Sequence, residues 1–267
     1  MKTILSILAV SVLLFSCNSG VSNKAVQQPE ETDKTQTMKS EDYIKSDVYE
    51  TEDGPIKVTL VGHGSLMFEF NGKITHIDPY SKVADYTKLP KADFILLTHE
   101  HSDHLDTTAI NAIRKEDTYF LMSKVCNDIL GYGDVIENGQ QNDKTGIFPV
   151  IKAVPAYNIV NKKDNGEAYH PKGRGNGYVI LLNNFTIYVA GDTENIPEME
   201  NLGSIDVAYL PKNLPYTMTD DMFIDAARKV NPTNLYPYHF SEFDESGITE
   251  ALKDTDIKIL VRPMSNK

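Results

Sequence analysis

The sequence predicts a layered α+β domain: two β-sheets packed on one another, with helices covering their outer faces. Three observations point there. Short strand-like runs follow one another closely from Gly54 onward. The steps Asn71-Gly72 and Asn183-Asn184 each join two such runs as tight hairpins, and Asn-Gly between such runs is the strongest short hairpin signal. Hairpins followed by a helical segment fill the first half of the chain, and the second half repeats that order.

Residues 56–61 alternate apolar and polar side chains, as a half-buried strand does. Residues 66–70 and 73–77 form the two arms of the first hairpin. Residues 93–97 are a nearly continuous apolar run, which suits a buried strand. Asp106-Thr107-Thr108 then reads as a helix cap leading into Ala109-Ile110 and Ala112-Ile113. Strands are expected at 118–122, 134–137 and 147–154, and Cys126 reads as a buried thiol near a helix start. Residues 178–182 and 185–189 make the second hairpin. A strand near 205–210, a helix near 219–230, a strand near 234–238, a helix near 244–252 and a strand near 257–261 complete the chain.

A chain of 267 residues can bury one large core or two small ones. The formal net charge of -12 repels a phosphate backbone and so argues against nucleic-acid binding. An anionic small-molecule substrate remains compatible, because bound metal ions invert the local field. The amino terminus reads MKTILSILAVSVLLFSC. Lys2 supplies the positive charge, and residues 4–15 form an apolar stretch too short for a comfortable membrane span of about 20 residues. This fits a secretory leader. Leu14-Phe15-Ser16-Cys17 resembles the lipobox of bacterial lipoproteins, which implies lipidation at Cys17, export, and attachment to the cell envelope through the lipid alone. Residues 18–45 are polar and read as a flexible tether, leaving 46–267 as the folded domain.

The chemistry concentrates in His99-Glu100-His101-Ser102-Asp103-His104, which holds three of the seven histidines. Imidazole and carboxylate are the donors a borderline divalent cation takes. Side chains 99 and 101 can point one way from an extended backbone, while Asp103 and His104 fall on the following turn and aim at a second point. One loop can therefore feed two metal ions. Asp106, read as a cap, is left out of the metal set.

This hexapeptide, as His99-x-His101-x-Asp103-His104 after a strand, resembles the signature of the metallo-β-lactamase superfamily. The resemblance covers about residues 55–265. Val61-Gly62-His63-Gly64-Ser65 and Ile77-Asp78-Pro79-Tyr80 look like the early motifs of the branch containing ascorbate-6-phosphate lactonase. Ala190-Gly191-Asp192-Thr193 looks like the segment with a bridging aspartate, and Tyr236-Pro237-Tyr238-His239 like the last metal-binding histidine. The resemblance implies a four-layer αββα sandwich. It places His99 and His101 on a first ion and Asp103, His104 and His239 on a second, with Asp192 between them. It implies two divalent ions, zinc in the first instance and manganese or iron as alternatives.

The third ligand of the first ion is missing from its usual place, where this chain has Val154-Pro155-Ala156-Tyr157-Asn158. An amide is a poor zinc ligand. His170, the one histidine left between 104 and 192, is expected to complete the site, with Asn158 as a substrate contact; the alternative keeps Asn158 in the ligand slot and makes His170 the substrate contact. Lys172 and Arg174, flanked by glycines, are expected to receive an anionic group. Tyr216, in a loop after a strand, is a further candidate contact. His63 reads as a buttress or core histidine, and His76 as a strand residue facing solvent.

Two ions about 3.5–4 Å apart share a water, lower its pKa and polarise the attacked oxygen. The expected reaction is hydrolysis of a lactone, ester or phosphodiester, with Asp103 and Asp192 as the carboxylates on which catalysis depends. The sequence holds no Gly-x-Ser-x-Gly elbow and no P-loop. The alternatives are a non-catalytic binding lipoprotein of the same fold and a di-iron oxidoreductase. Relatives of the latter kind that resemble flavodiiron proteins carry a carboxylate where this chain has His101.

Overall fold

The computed structural model describes residues 44–142 and 149–264. Cys17, the leader over 1–17 and nearly all of the tether over 18–45 lie outside them.

Fourteen strands among the described residues form two seven-stranded sheets, each ordered as the chain runs. The first comprises β1 (Lys45–Thr51), β2 (Gly54–Gly62), β3 (Ser65–Phe70), β4 (Lys73–Ile77), β5 (Phe94–Leu97), β6 (Tyr119–Met122) and β7 (Asp134–Val135). The second comprises β8 (Gln141–Asn142), β9 (Val150–Ala156), β10 (Gly175–Leu182), β11 (Phe185–Val189), β12 (Val207–Pro211), β13 (Asn234–Tyr238) and β14 (Lys258–Ile259). In each sheet the first four strands pair antiparallel and the last four parallel. The change follows from the connections. A two-residue turn can only reverse the chain, whereas a parallel neighbour needs a crossover. The crossovers are α1 (Thr107–Ile113) and α2 (Lys124–Leu130) in the first half, and α3 (Asp220–Val230) and α4 (Glu245–Ala251) in the second. A short 3-10 turn occupies the first crossover of each half, at Tyr86–Lys88 and Pro197–Asn201.

Strand periodicity sorts side chains into layers. In β5, Leu96 joins the core between the sheets, while Ile95 and Leu97 face α1 and α2 with Ile110, Ile113 and Cys126. In β12, Val207 and Tyr209 point inward, and Ala208 and Leu210 pack with Phe223 and Ala227 of α3. All residues of both strands are buried, which is why neither alternates in polarity. The result is the four-layer sandwich expected from the sequence. Asp106 caps α1 by accepting from Thr108 N at 2.8 Å, and Cys126 is a buried free thiol.

Two expectations change. β1 begins at Lys45, the last residue of the segment read as tether, and precedes the first strand expected from the sequence. Its side chains are largely exposed, so no apolar alternation betrays it. It is held instead by its backbone ladder to β2 and by Arg262, whose Nη2 donates to Asp47 Oδ1 at 2.8 Å.

His76 does not face solvent. It is fully buried, with Nε2 3.0 Å from the carbonyl of Pro90. Burial lowers its pKa from 6.5 to about 4. The unfolded chain therefore takes up this proton first, and stability is lost as pH falls from about 6.5 toward 4. The loss amounts to about 3 kcal/mol. Urea unfolding should show His76→Gln losing less stability than the wild type between pH 7 and pH 4.5. Parallel losses would clear His76 of the effect.

Candidate metal centre

Apart from His170, which lies in the connection between β9 and β10, the polar side chains of the cluster leave the sandwich at the carboxyl end of a strand, where α/β sheets place their ligands. His63 follows β2, Asp78 follows β4, His99 to His104 follow β5, Asp192 follows β11 and His239 follows β13. Positive backbone φ in side chains other than asparagine is confined to three of these positions among the described residues: His63 (50°), Asp78 (47°) and His239 (52°). Such strain persists where surrounding structure enforces it, and it gathers at functional sites.

His99 Nε2 and His170 Nε2 lie 3.1 and 3.2 Å from His101 Nδ1. Asp192 Oδ2 lies 3.3 Å from His170 Nε2. On the other side, His104 Nε2 and His239 Nε2 are 3.2 Å apart. Asp103 Oδ2 is 3.5 Å from His239 Nε2, and Asp192 Oδ1 is 3.6 Å from His104 Nε2. The two oxygens of Asp192 thus reach both groups.

These donors fit cations better than they fit one another. His101 Nδ1 cannot be both donor and acceptor to two rings at once. Ligands 2.0–2.1 Å from a tetrahedral zinc would stand about 3.4 Å apart, close to the separations here. Asp192 is buried, yet its Oδ1 has no hydrogen-bond partner. A bare carboxylate oxygen in that position is costly unless a cation faces it. The electrostatics agree. Burial opposes the charge of Asp192, but His239 and His104 outweigh it and hold the carboxyl well below its usual range. Asp103 behaves likewise: burial works against its charge, and hydrogen bonds from His239 and His63 prevail. Burial lowers His99 and His101, keeping both rings neutral and able to donate a lone pair.

Further residues aim the ligands. Asp78 Oδ2 is 2.8 Å from His104 Nδ1, which turns Nε2 toward the centre. Asp78 is itself fixed by Thr98, whose N donates to Oδ1 at 2.8 Å. His63 Nε2 sits 2.8 Å from Asp103 Oδ2, so the buttress reading of His63 matches its position.

His170 lies with His99 and His101. Asn158 does not face a substrate. It is buried behind His170, with its Oδ1 2.8 Å from His170 Nδ1 and 2.7 Å from the same residue's backbone N. Its Nδ2 donates to the Tyr216 carbonyl at 2.8 Å. With both ends of the amide engaged, Asn158 orients the histidine. Glu194, fully buried, clamps the adjoining loop by accepting from Ile159 N, Val160 N and Asn161 N at 2.7, 2.7 and 2.6 Å. Asn158→Ala should weaken zinc binding about 10–100-fold, measured by competition with a chromogenic chelator. Wild-type affinity would mean that His170 needs no such support.

Of the expected anion contacts, Arg174 lines the cleft beside His99, His101, His170 and Asp192, and its Nε pairs with Glu100. Lys172 is turned aside, with Nζ 2.7 Å from Glu198 and 4.6 Å from the centre of the Tyr157 ring. Tyr216 packs edge-on against Tyr169, a cleft residue, with ring centres 5.0 Å apart. Sequence reasoning missed Asp78 and Glu194 as supports. Their partners lie 26 and more than 30 residues away, and no local spacing announces them.

Residues 57–239 match the family model described as beta-lactamase superfamily domain. A UPF0173 metal-dependent hydrolase of Thermococcus kodakarensis is 32% identical over 196 residues, covering 70% of this chain and 85% of the relative. A crystal structure from Parabacteroides distasonis, described as a candidate metal-dependent hydrolase, superposes with a TM-score of 0.79 at 42% identity. That match covers 84% of this chain and all of the other. The metallo hydrolase Igni18 of Ignicoccus hospitalis shares the fold at 22% identity and a TM-score of 0.61, over 76% of this chain and 94% of its own. Fold, donor set and these relatives together mark a metal-dependent hydrolase. The chain belongs to the metallo-β-lactamase superfamily, within its UPF0173 metal-dependent hydrolases.

Proposed function

We propose that this hydrolase works with two divalent ions, zinc in the first instance, and cleaves a lactone, ester or phosphodiester. The carrying observation is Asp192, one buried carboxylate whose two oxygens reach both histidine groups. His99, His101 and His170 would hold one ion, and Asp103, His104 and His239 the other, with Asp192 common to both. Ions so placed would supply an activated water at neutral pH and polarise the attacked oxygen. The chain's own part is to fix that geometry. Asp78 and Asn158 set the ring orientations, and His63 holds Asp103 in place. Arg174, at the cleft wall, would orient an anionic substituent. A lactone stands among the candidate substrates because the early motif around His63 resembles that of the lactonase branch. The non-catalytic alternative rested on Asn158 standing where a ligand belongs, and His170 in the cluster removes that ground. Elemental analysis of the purified domain, followed by a lactone panel and a generic phosphodiester, tests the reading. Two equivalents of zinc with turnover support it; tightly bound ions with no hydrolysis of any of these refute it.

The leader and Cys17 support a lipid anchor on the cell envelope, with no other membrane contact. Cys17→Ala should move the protein from the membrane fraction to the soluble one. Unchanged partitioning in a fractionation assay would refute acylation.

A further inference from the structure

Large apolar side chains exposed to solvent are few among the described residues, and half of them lie on two loops tied together by Asn158, which also holds His170, and by Asn161. Ile159 and Val160 are 48% and 64% exposed, and Leu214 and Tyr216 are 54% and 44% exposed. The loops that carry them are laced together by Asn158 Nδ2 to the Tyr216 carbonyl (2.8 Å) and Asn161 Nδ2 to the Thr217 carbonyl (2.6 Å). Glu194 takes up the backbone N–H groups of Ile159 and Val160. These side chains are thus held outward by a fixed backbone, where a loosely tethered loop could fold them under. Tyr169 carries the patch into the cleft. It precedes His170, lines the same space as His99, His101 and Asp192, and packs on Tyr216.

We propose that the substrate carries an apolar acyl or aryl group that rests on Tyr169, Tyr216, Leu214, Ile159 and Val160 while its scissile bond faces the histidine cluster. The proposal rests on the hydrolase reading and names the substrate class for it. Arg174, paired with Glu100, lines the same cleft as Tyr169, so the cleft offers a cationic side chain as well as an apolar one. The substrate is then amphipathic.

The test uses the zinc-loaded protein and straight-chain carboxylates from acetate to octanoate as product-like probes, with affinities from calorimetry. Affinity should rise about two- to fourfold per methylene. Tyr216→Ser and Val160→Ser should each flatten that gradient, and Val48→Ser, on exposed β1, should leave it unchanged. A flat series in the wild type, or a gradient indifferent to both rim substitutions, overturns the proposal. So does a flat series accompanied by binding to phosphatidylcholine vesicles that the rim substitutions abolish, because the occupant is then a membrane. If the gradient holds but no amphipathic ester, lactone or phosphodiester is hydrolysed, the hydrolase reading falls and the apolar subsite stands.

Discussion

Asp192→Ala is expected to lose at least one of two bound ions and to lower turnover on the order of 10³-fold or more, the scale of removing a preorganised electrostatic anchor. The reason is its placement. Asp192 Oδ2 stands 3.3 Å from His170 Nε2 and 3.5 Å from His239 Nε2, while Oδ1 stands 3.6 Å from His104 Nε2. Alanine therefore removes negative charge from both groups at once. Five imidazoles and Asp103 remain, and a dication pair there would be under-compensated. The fold should survive, since Gly191, with its positive φ of 66°, sets the turn and Thr193 anchors it to the Tyr157 backbone. Metal content by mass spectrometry, turnover, and far-UV circular dichroism on the same sample decide the matter. Two ions and undiminished turnover in a folded Asp192→Ala protein would end the reading of Asp192 as the carboxylate common to both ions.

How legible this centre was depended on sequence distance. His99, His101, Asp103 and His104 could be read because one turn packs four donors into six residues. His170 could be reached by elimination, and Asn158 was miscast because an amide that orients a ligand looks, in one dimension, like an amide in a ligand's place. Asp78 was noticed only as part of a motif. Its partner His104 comes 26 positions later, and the contact exists because β4 and β5 lie side by side and end together. Lys172 and Arg174 stand two residues apart and part company: Glu198 captures one, and Glu100 holds the other at the cleft. Charge partners from other loops decide such outcomes.

The fold followed the same logic. β5 and β12 were evident because burial on both faces makes a strand apolar throughout. The hairpins were evident because Asn71 and Asn183 accept the left-handed backbone their turns demand, with φ of 49° and 38°. β1 escaped because its sequence shows no apolar alternation; the ladder to β2, the Asp47–Arg262 pair and the Tyr49 ring against the core hold it. His76 was misplaced because a histidine in an alternating run says nothing of which face is covered. The helix side of the first sheet covers it, and the Tyr86 ring lies 5.9 Å away.

Gly64→Ala should damage the centre without touching a single donor. Gly64 lies in the connection between β2 and β3, where a Cβ would come within 2.7 Å of His104 Cε1 and 3.2 Å of both His104 Nδ1 and His239 Cδ2. Contacts that close force something to move. His104 cannot swing away without breaking its 2.8 Å bond to Asp78, and His239 is stacked against it at 5.1 Å between ring centres. His63, next in the chain, is already strained at φ 50° and its ring lies 3.7 Å from that of His239. The added methyl therefore spreads the His104–His239 pair. Overpacking of this kind costs about 1–3 kcal/mol, and misaimed ligands lower metal affinity by about 10–100-fold. Gly173→Ala makes the comparison: its φ of 82° strains an alanine, but open space surrounds the new Cβ. Both variants should melt earlier than the wild type in the metal-free state. Only Gly64→Ala should also show weakened binding of one zinc equivalent in a chelator titration. Wild-type zinc affinity in Gly64→Ala would mean that the histidine pair has room the structure does not grant it.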